Sequence, residues 1–396
     1  MLLTVNRMSA LRALRRERGE NGRLTGARTD LAAPDPAPQR RWTASIIPKG
    51  PLAIDESPSH ERPLDIVVPQ ARLRPRAAFF RSAVHGDDIP SGSYISLGEE
   101  VASVGPELLF LELAGVMHPI VHALVGYELC GTYARDPRTP RTGNVTFGVE
   151  PATTKARIAE FLDGCPGLRG VDQARCALAY VADNAWSPTE ALLALLVRLP
   201  VTELGFGAGS VTLNVRRETT AELLQRGVRA SRVPDIEVDG TPMGFNYDGY
   251  GHFDLASIAR AESAEERTEA IRGVREKYLD DLRRNRELAA RGKIILPVIA
   301  DDLFADGGLD TVMLEASMAC EELCGQSLGD VRLALASPLL ARKRQKLIWS
   351  LLPWEPGARY ARAMAARPEA SDAAPEDVLL LGDEFVTVEE VSLACD

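Results

Sequence analysis

A chain of 396 residues, 45% hydrophobic and 26% charged, is long enough to bury a sizeable core in two domains and has the composition of a globular protein. Its net charge of −10 excludes the strongly basic balance of a general nucleic-acid coat. The charge is uneven, with ten Arg/Lys against four acids in residues 1–50 and three Arg against ten acids in residues 355–396, so any contact with nucleic acid must rest on local patches.

Residues 1–61 read as a basic, partly disordered segment. A short helix is predicted from Ser9 to Glu20, and its Arg12, Arg15, Arg16 and Arg18 form a solvated face or one that touches phosphate. Beyond Gly22 the text turns to Ala, Pro and Arg, as in Ala33-Pro34-Asp35-Pro36-Ala37-Pro38, which rarely packs. Residues 62–149 read as an α+β module. Strands are expected over 64–68, 77–84 and 94–104, with turn clusters at 86–88 and 90–92, followed by helices over 106–116 and 118–132. Val104-Gly105-Pro106-Glu107 opens the first of these helices, because Pro is tolerated early and Glu suits the positive end. His118 and His122 have the spacing of a helical metal pair, but no Glu follows the first His, and packed histidines are the simpler reading. The most apolar long stretch, 106–130, contains Glu107, Glu112, His118, His122 and Glu128, which argues against a membrane span.

The Pro/Thr/Gly-rich text of 136–148 marks the expected domain boundary. The region 150–304 follows with helices over 152–163, 171–183 and 187–199. Ser187, Pro188 and Glu190 form a capping box at the head of the third helix. Leu204-Gly205-Phe206-Gly207-Ala208-Gly209 lacks the Walker pattern and a matching helix, so it reads as a turn. A strand over 211–215 comes next, and then the stretch that carries the chemistry. Two strands, within 232–238 and 241–249, flank the turn signal Asp239-Gly240. Alternation puts Asp235 and Glu237 on one face, with Asn246 and Asp248 likewise on one face of their strand, while Ile236, Val238, Phe245 and Tyr247 point the other way. Clustered carboxylates need positive charge among them, and hard oxygen ligands suit Mg²⁺; the plain alternative is a hairpin with a solvated acidic face. A polar helix rich in Asp and Arg and an apolar strand, Ile294–Ile299, complete an α-β-β-β-α-β order over 187–299.

Residues 305–354 read as C-terminal helices, one over about 307–323. Arg342-Lys343-Arg344 and Lys346 lie beside Trp349 and Trp354, suited either to nucleic acid or to a helix docked on the core with a charged outer edge. The acidic stretch 355–396 reads as a mobile tail with one short strand or helix over 377–391. Six scattered cysteines form no C-x-x-C pair. Cys320 and Cys324, a turn apart, do not close a zinc site, and with no leader or disulfide framework in the text a reducing cytoplasm is expected.

Pro234-Asp235, then Asn246-Tyr247-Asp248-Gly249 with His252, then the helix carrying Asp280, Asp281, Arg283, Arg284 and Asn285 and the apolar strand, resemble the very-short-patch-repair-like branch of the PD-(D/E)XK nuclease superfamily, in a form occurring in many actinobacterial proteins. The resemblance implies an α/β, restriction-endonuclease-like core (αβββαβ) over 150–304 behind the N-terminal α+β module, and a metal-dependent DNA endonuclease or nicking enzyme. In it Asp235 and Asp248, with Glu237 or Glu190, would hold Mg²⁺. His252 would act as base or donate to phosphate, and Arg283, Arg284 and Lys293 would contact the strand. The family's Glu is replaced here by Asn246, and no Lys occupies the motif position, where Asp248 stands. Slow or absent cleavage is therefore expected. The rival expectations are a catalytically inactive nuclease-like binding protein, of abortive-infection antitoxin or regulator type, and a protein-interaction scaffold.

Overall fold

A computed structural model describes residues 3–31, 43–86, 88–98, 101–248 and 263–352. The predicted tail, His252 and Trp354 lie outside these residues, as does the Ala/Pro stretch 32–42. The described residues form a mixed α/β structure in two compact units, one extending to Ala191 and the other covering Leu192–Leu352. The boundary expected at 136–148 instead falls inside the first unit. Among the described residues no helix is long and apolar enough to cross a membrane. The five cysteines they include are all free thiols.

The first unit is built on a six-stranded sheet. Its elements are β1 (Leu3–Val5), α1 (Arg7–Asn21), β2 (Arg28–Thr29), α2 (Lys49–Leu52), β3 (Leu64–Val68), β4 (Phe80–Val84), β5 (Tyr94–Ser96) and β6 (Val101–Val104), in the sheet order β2-β5-β6-β1-β3-β4. The expectation for the N-terminal segment is corrected here. β1 lies inside the sheet, parallel to β6 and antiparallel to β3, and its three residues are buried. The arginines of α1 do not form a solvated face either. Arg15 and Arg18 are 2% and 1% exposed. Arg15 grips the buried Glu128 with Nε at 2.8 Å and a terminal nitrogen at 2.6 Å. Arg18 donates to the carbonyls of Glu128, Gly131 and Glu150. The composition gave basic character, but a guanidinium fork can be buried wherever carboxylates and carbonyls satisfy it.

Helices α3 (Pro106–Leu113) and α4 (Pro119–Cys130) follow the sheet, each with Pro in its first turn. His118 caps α4, accepting the Ile120 N–H, and His122 donates from Nε2 to the Phe110 carbonyl at 2.7 Å while stacking on the Phe110 ring. Both are packed histidines. A short hairpin, β7 (Tyr133–Ala134) with β8 (Thr146–Phe147), leads to α5 (Lys155–Gly164), α6 (Val171–Ala179) and α7 (Pro188–Arg198).

The second unit has a four-stranded sheet of β9 (Val211–Leu213), β12 (Ile236–Val238), β13 (Met243–Asp248) and β14 (Ile294–Ile299). A side hairpin of β10 (Arg217–Glu218) and β11 (Ser231–Arg232), enclosing α8 (Ala221–Gln225), stands between β9 and β12 in sequence. β12 pairs antiparallel with both β9 and β13, as expected for the strands around Asp239-Gly240. β13 then runs through α9 (Ala264–Ala289) to β14, which it pairs in parallel. α9 starts at a Ser263–Glu266 capping box.

An apolar run such as Ile294–Ile299 reads from sequence as a central, buried strand, but β14 is an edge strand. Pro297 has no N–H to offer a further neighbour, and Ile299 is 43% exposed, so the apolar run ends at an edge. The apolar residues Val211, Leu213, Ile236, Val238, Met243, Phe245 and Val298 are all buried. Beyond β14 lie α10 (Ala300–Phe304), α11 (Gly308–Cys324), α12 (Val331–Leu335) and α13 (Pro338–Leu351). The glycine run before β9 is a turn, as read. A Cβ on Gly205 would stand 2.1 Å from the Leu199 carbonyl oxygen, which only glycine permits.

Candidate functional site

The polar residues singled out in the sequence gather on and beside the β12–β13 ladder. Ile236 pairs with Phe245 and Glu237 with Gly244. One step further along, the Asp235 N–H donates to Asn246 Oδ1 at 2.9 Å, and Asp235 Oδ2 accepts the Tyr247 N–H at 2.7 Å. Strand alternation then puts Asp235, Glu237, Asn246 and Asp248 on one face, as the sequence reading required.

This face is not the solvated acidic surface of the plain alternative. Glu237 is 2% exposed and Asn246 1% exposed. Both Glu237 oxygens are held by Arg217, at 2.7 and 2.6 Å, and Lys293 Nζ stands 2.7 Å from one of them. Burial alone would raise the Glu237 pKa, but the hydrogen bonds from Arg217 and Lys293 outweigh it and hold the carboxyl below its usual range. Arg284 of α9 lies 3.5 Å from Asp248 and 3.4 Å from Asp281. Asn246 Nδ2 is buried without a hydrogen-bond partner.

The cations offered by the resemblance therefore differ in their surroundings. Arg283 is exposed on α9, Arg284 is half-buried against Asp248, and Lys293 is turned inward to Glu237 and the Thr241 carbonyl. Glu190, in the first unit, donates its N–H to Ser187 Oγ, the N-cap half of the box read from the sequence, while its carboxylate accepts from the N–H of Trp186, one residue before the cap. Arg344, from the basic cluster near the C-terminus, is fully buried. It forks onto Asp310 with two 2.8 Å contacts and lies 4.4 Å over the Phe206 ring, which makes it a docking residue of α13.

Two arginines that sequence reading passed over complete the arrangement. Arg217 is the Glu237 clamp. Arg232, 6% exposed, pairs with Glu287 at 2.6 Å and with Asp280 at 3.0 Å, tying the side hairpin to α9. No motif marks either residue, since the partners lie 20 and 55 residues away in the chain. Their only sequence signal is the density of Arg over residues 216–232, a segment to which the sequence gives no clear element.

The described donor set does not fit Mg²⁺. The ion takes about six oxygens in near-octahedral geometry, several of them from carboxylates or waters. Glu237 is already committed to two cations, Asn246 turns its amide oxygen to a backbone N–H, and among the described residues no three His, Cys, Asp or Glu gather closely enough to hold a metal. No family model, no curated protein and no solved structure matches the chain.

Proposed function

We propose that the second unit is a restriction-endonuclease-like module that engages DNA without cleaving it efficiently. The fold part of this reading is supported by β9, β12 and β13 paired antiparallel, then the crossover helix α9 and the parallel β14, which follow the βββαβ part of the resemblance's αβββαβ order with the β10–α8–β11 segment inserted after β9. One observation carries the functional part. Glu237, which would have to replace the missing family Glu at position 246, is occupied on both oxygens by Arg217 and Lys293. A carboxylate so neutralised has little left to offer a cation, and an Asn amide is a poorer Mg²⁺ ligand than the Glu it replaces. The exposed Arg283 is the described candidate for a phosphate contact on α9.

The test is a plasmid-cleavage assay with Mg²⁺ and Mn²⁺ beside a DNA-binding titration on the same preparation. Binding with cleavage slow or absent is expected. Brisk wild-type cleavage that Asp235→Ala and Asp248→Ala leave untouched would refute the site assignment, whereas brisk cleavage abolished by both would refute the inactive reading alone. Asn246→Glu restores the family charge in a buried position beside Asp235. It is expected to lower the thermal midpoint in chelator and to regain part of it with Mn²⁺, a response absent from wild type; no Mn²⁺ effect on the variant would count against a metal-site ancestry.

A further inference from the structure

Helix α9 has two faces of opposite character. Its inward face is set by Asp280, 3.0 Å from Arg232, by Glu287, 2.6 Å from the same arginine, by Arg284, 3.5 Å from Asp248, and by the buried Leu288. At about 100° per residue, Ile271, Tyr278 and Leu282 fall within about 40° of one another, on the far side of the helix from Asp280 and Glu287. The exposures agree with that geometry: Ile271 is 50% exposed, Tyr278 46%, Leu279 37% and Leu282 50%. Single exposed apolar residues are ordinary, but these four lie along about three turns of one helix and make a stripe.

The charges of α9 are segregated in the same way. Arg267, Arg275, Arg283 and Arg286 flank the stripe; all four are exposed, and among the described residues none of them forms an ion pair. Six of the seven acids of α9 project within about 60° of Asp280, and the seventh, Asp281, turns to Arg284. An apolar stripe edged by arginine calls for an occupant that is apolar and acidic at once. A second α9 would set arginine against arginine, and an anionic lipid surface would repel a chain of net charge −10 and asks for a wider apolar face. The chain itself supplies the match. After Arg367 it has nine acids and no Lys or Arg, and within 377–391 five acids accompany Val378, Leu381, Phe385 and Val388, which recur at the spacing of one helix face.

We propose that residues 377–391 dock on the outward face of α9, setting their apolar residues against Ile271, Tyr278 and Leu282 and their carboxylates against Arg267, Arg275, Arg283 and Arg286. Reach is no obstacle. Twenty-four residues, 353–376, separate the segment from Leu352, which lies in the same unit as α9. They span at most about 80 Å, several times the radius of gyration of roughly 15 Å for a unit of this size. Tethering raises the local concentration of the segment, so contacts too weak to join separate chains suffice to hold it. The inference is independent of the nuclease-like reading of the second unit.

Hydrogen–deuterium exchange of the full-length protein, read by mass spectrometry at about 0.1 M salt, tests this. Amides of 377–391 should exchange at least about tenfold slower than in a synthetic peptide of the same residues, whatever the protein concentration. Arg275→Glu/Arg286→Glu, both at exposed positions, should speed that exchange by about tenfold with an unchanged thermal midpoint. Adding Glu389→Arg/Glu390→Arg should restore most of the protection, which a merely structural role of the two arginines would not allow. Leu282→Ser should speed exchange by about fivefold with no change of charge. Exchange in the full chain equal to that of the peptide, or protection that the α9 substitutions leave intact, would overturn the proposal. So would protection that appears only as protein concentration rises, which assigns the stripe to a second copy.

Discussion

Arg15 and Glu128 show what a single pair does in the first unit. Glu128 Oε1 accepts from Arg15 Nε and from the Arg135 N–H, and Oε2 accepts from Arg15 again, all in a site from which water is excluded. Removing the cation leaves a buried carboxylate without its counter-charge, whereas removing both charges together is far milder. Arg15→Met is therefore expected to lower unfolding free energy by about 3–5 kcal/mol in urea titrations, with Arg15→Met/Glu128→Gln recovering much of the loss. Glu237 makes a pH-dependent counterpart in the second unit. Its folded pKa is depressed below the ordinary 4.5, so the folded state binds its proton less readily than the unfolded state does. The stability it contributes is complete above that ordinary value and is lost as pH falls through the lower, folded one. The urea midpoint of wild type should drop more steeply between about pH 5 and pH 3 than that of Glu237→Gln, which is already weaker at neutral pH. Parallel profiles would mean that the Arg217 and Lys293 contacts are not formed in solution.

At the scale of elements, the β12–β13–β14 register depends on one small residue. Gly244 faces Glu237 on one side and Ile295 on the other. A Cβ there would lie 2.4 Å from the Ile236 carbonyl oxygen and 2.6 Å from Ile295 Cδ1, and the first of these is backbone that cannot rotate away. Gly244→Ala should cost about 1–3 kcal/mol by overpacking, more than the entropy gained by replacing glycine in the unfolded chain. Thermal unfolding measures this directly, and an unchanged or raised midpoint would show that the ladder is looser than drawn. The long helix α9 stands in contrast to the sheet. Of its 26 residues only Glu287 and Leu288 are buried, so its position rests on ion pairs from Arg232 and Arg284 as much as on apolar contact. Reading it as charge-laden and polar was sound; which of its charges turn inward was not legible from spacing.

For the whole molecule the governing quantity is charge. With a net −10, any association with DNA, as proposed above, must work against a like-charged background and rely on a few local cations such as Arg283. Affinity should be weak and should fall steeply with salt, with a log–log slope of roughly one unit per phosphate neutralised, and Arg283→Ala should reduce that slope by about one. Fluorescence anisotropy across a salt series provides the measurement; tight binding that is indifferent to salt would contradict the electrostatic basis.

The sequence by itself determined the order of elements and many of their limits, because those depend on local chemistry. Ser187-Pro188-Thr189-Glu190 caps a helix wherever it lies, Asp239-Gly240 turns a hairpin, and alternation puts Asp235 with Glu237 and Asn246 with Asp248, though the Ile236–Phe245 register is what joins the two pairs on one face. Alternation says nothing about what covers a face. Only the tertiary structure decided that this one is closed by Arg217, Lys293 and Arg284, that β14 is an edge strand, and that a basic N-terminal segment supplies an inner strand and two buried guanidiniums. Arg15 reaches Glu128 across 113 residues of chain, and Arg217 reaches Glu237 across 20. A charged residue reads the same in sequence whether water or a counter-ion surrounds it, and the choice between them is made by packing between distant segments.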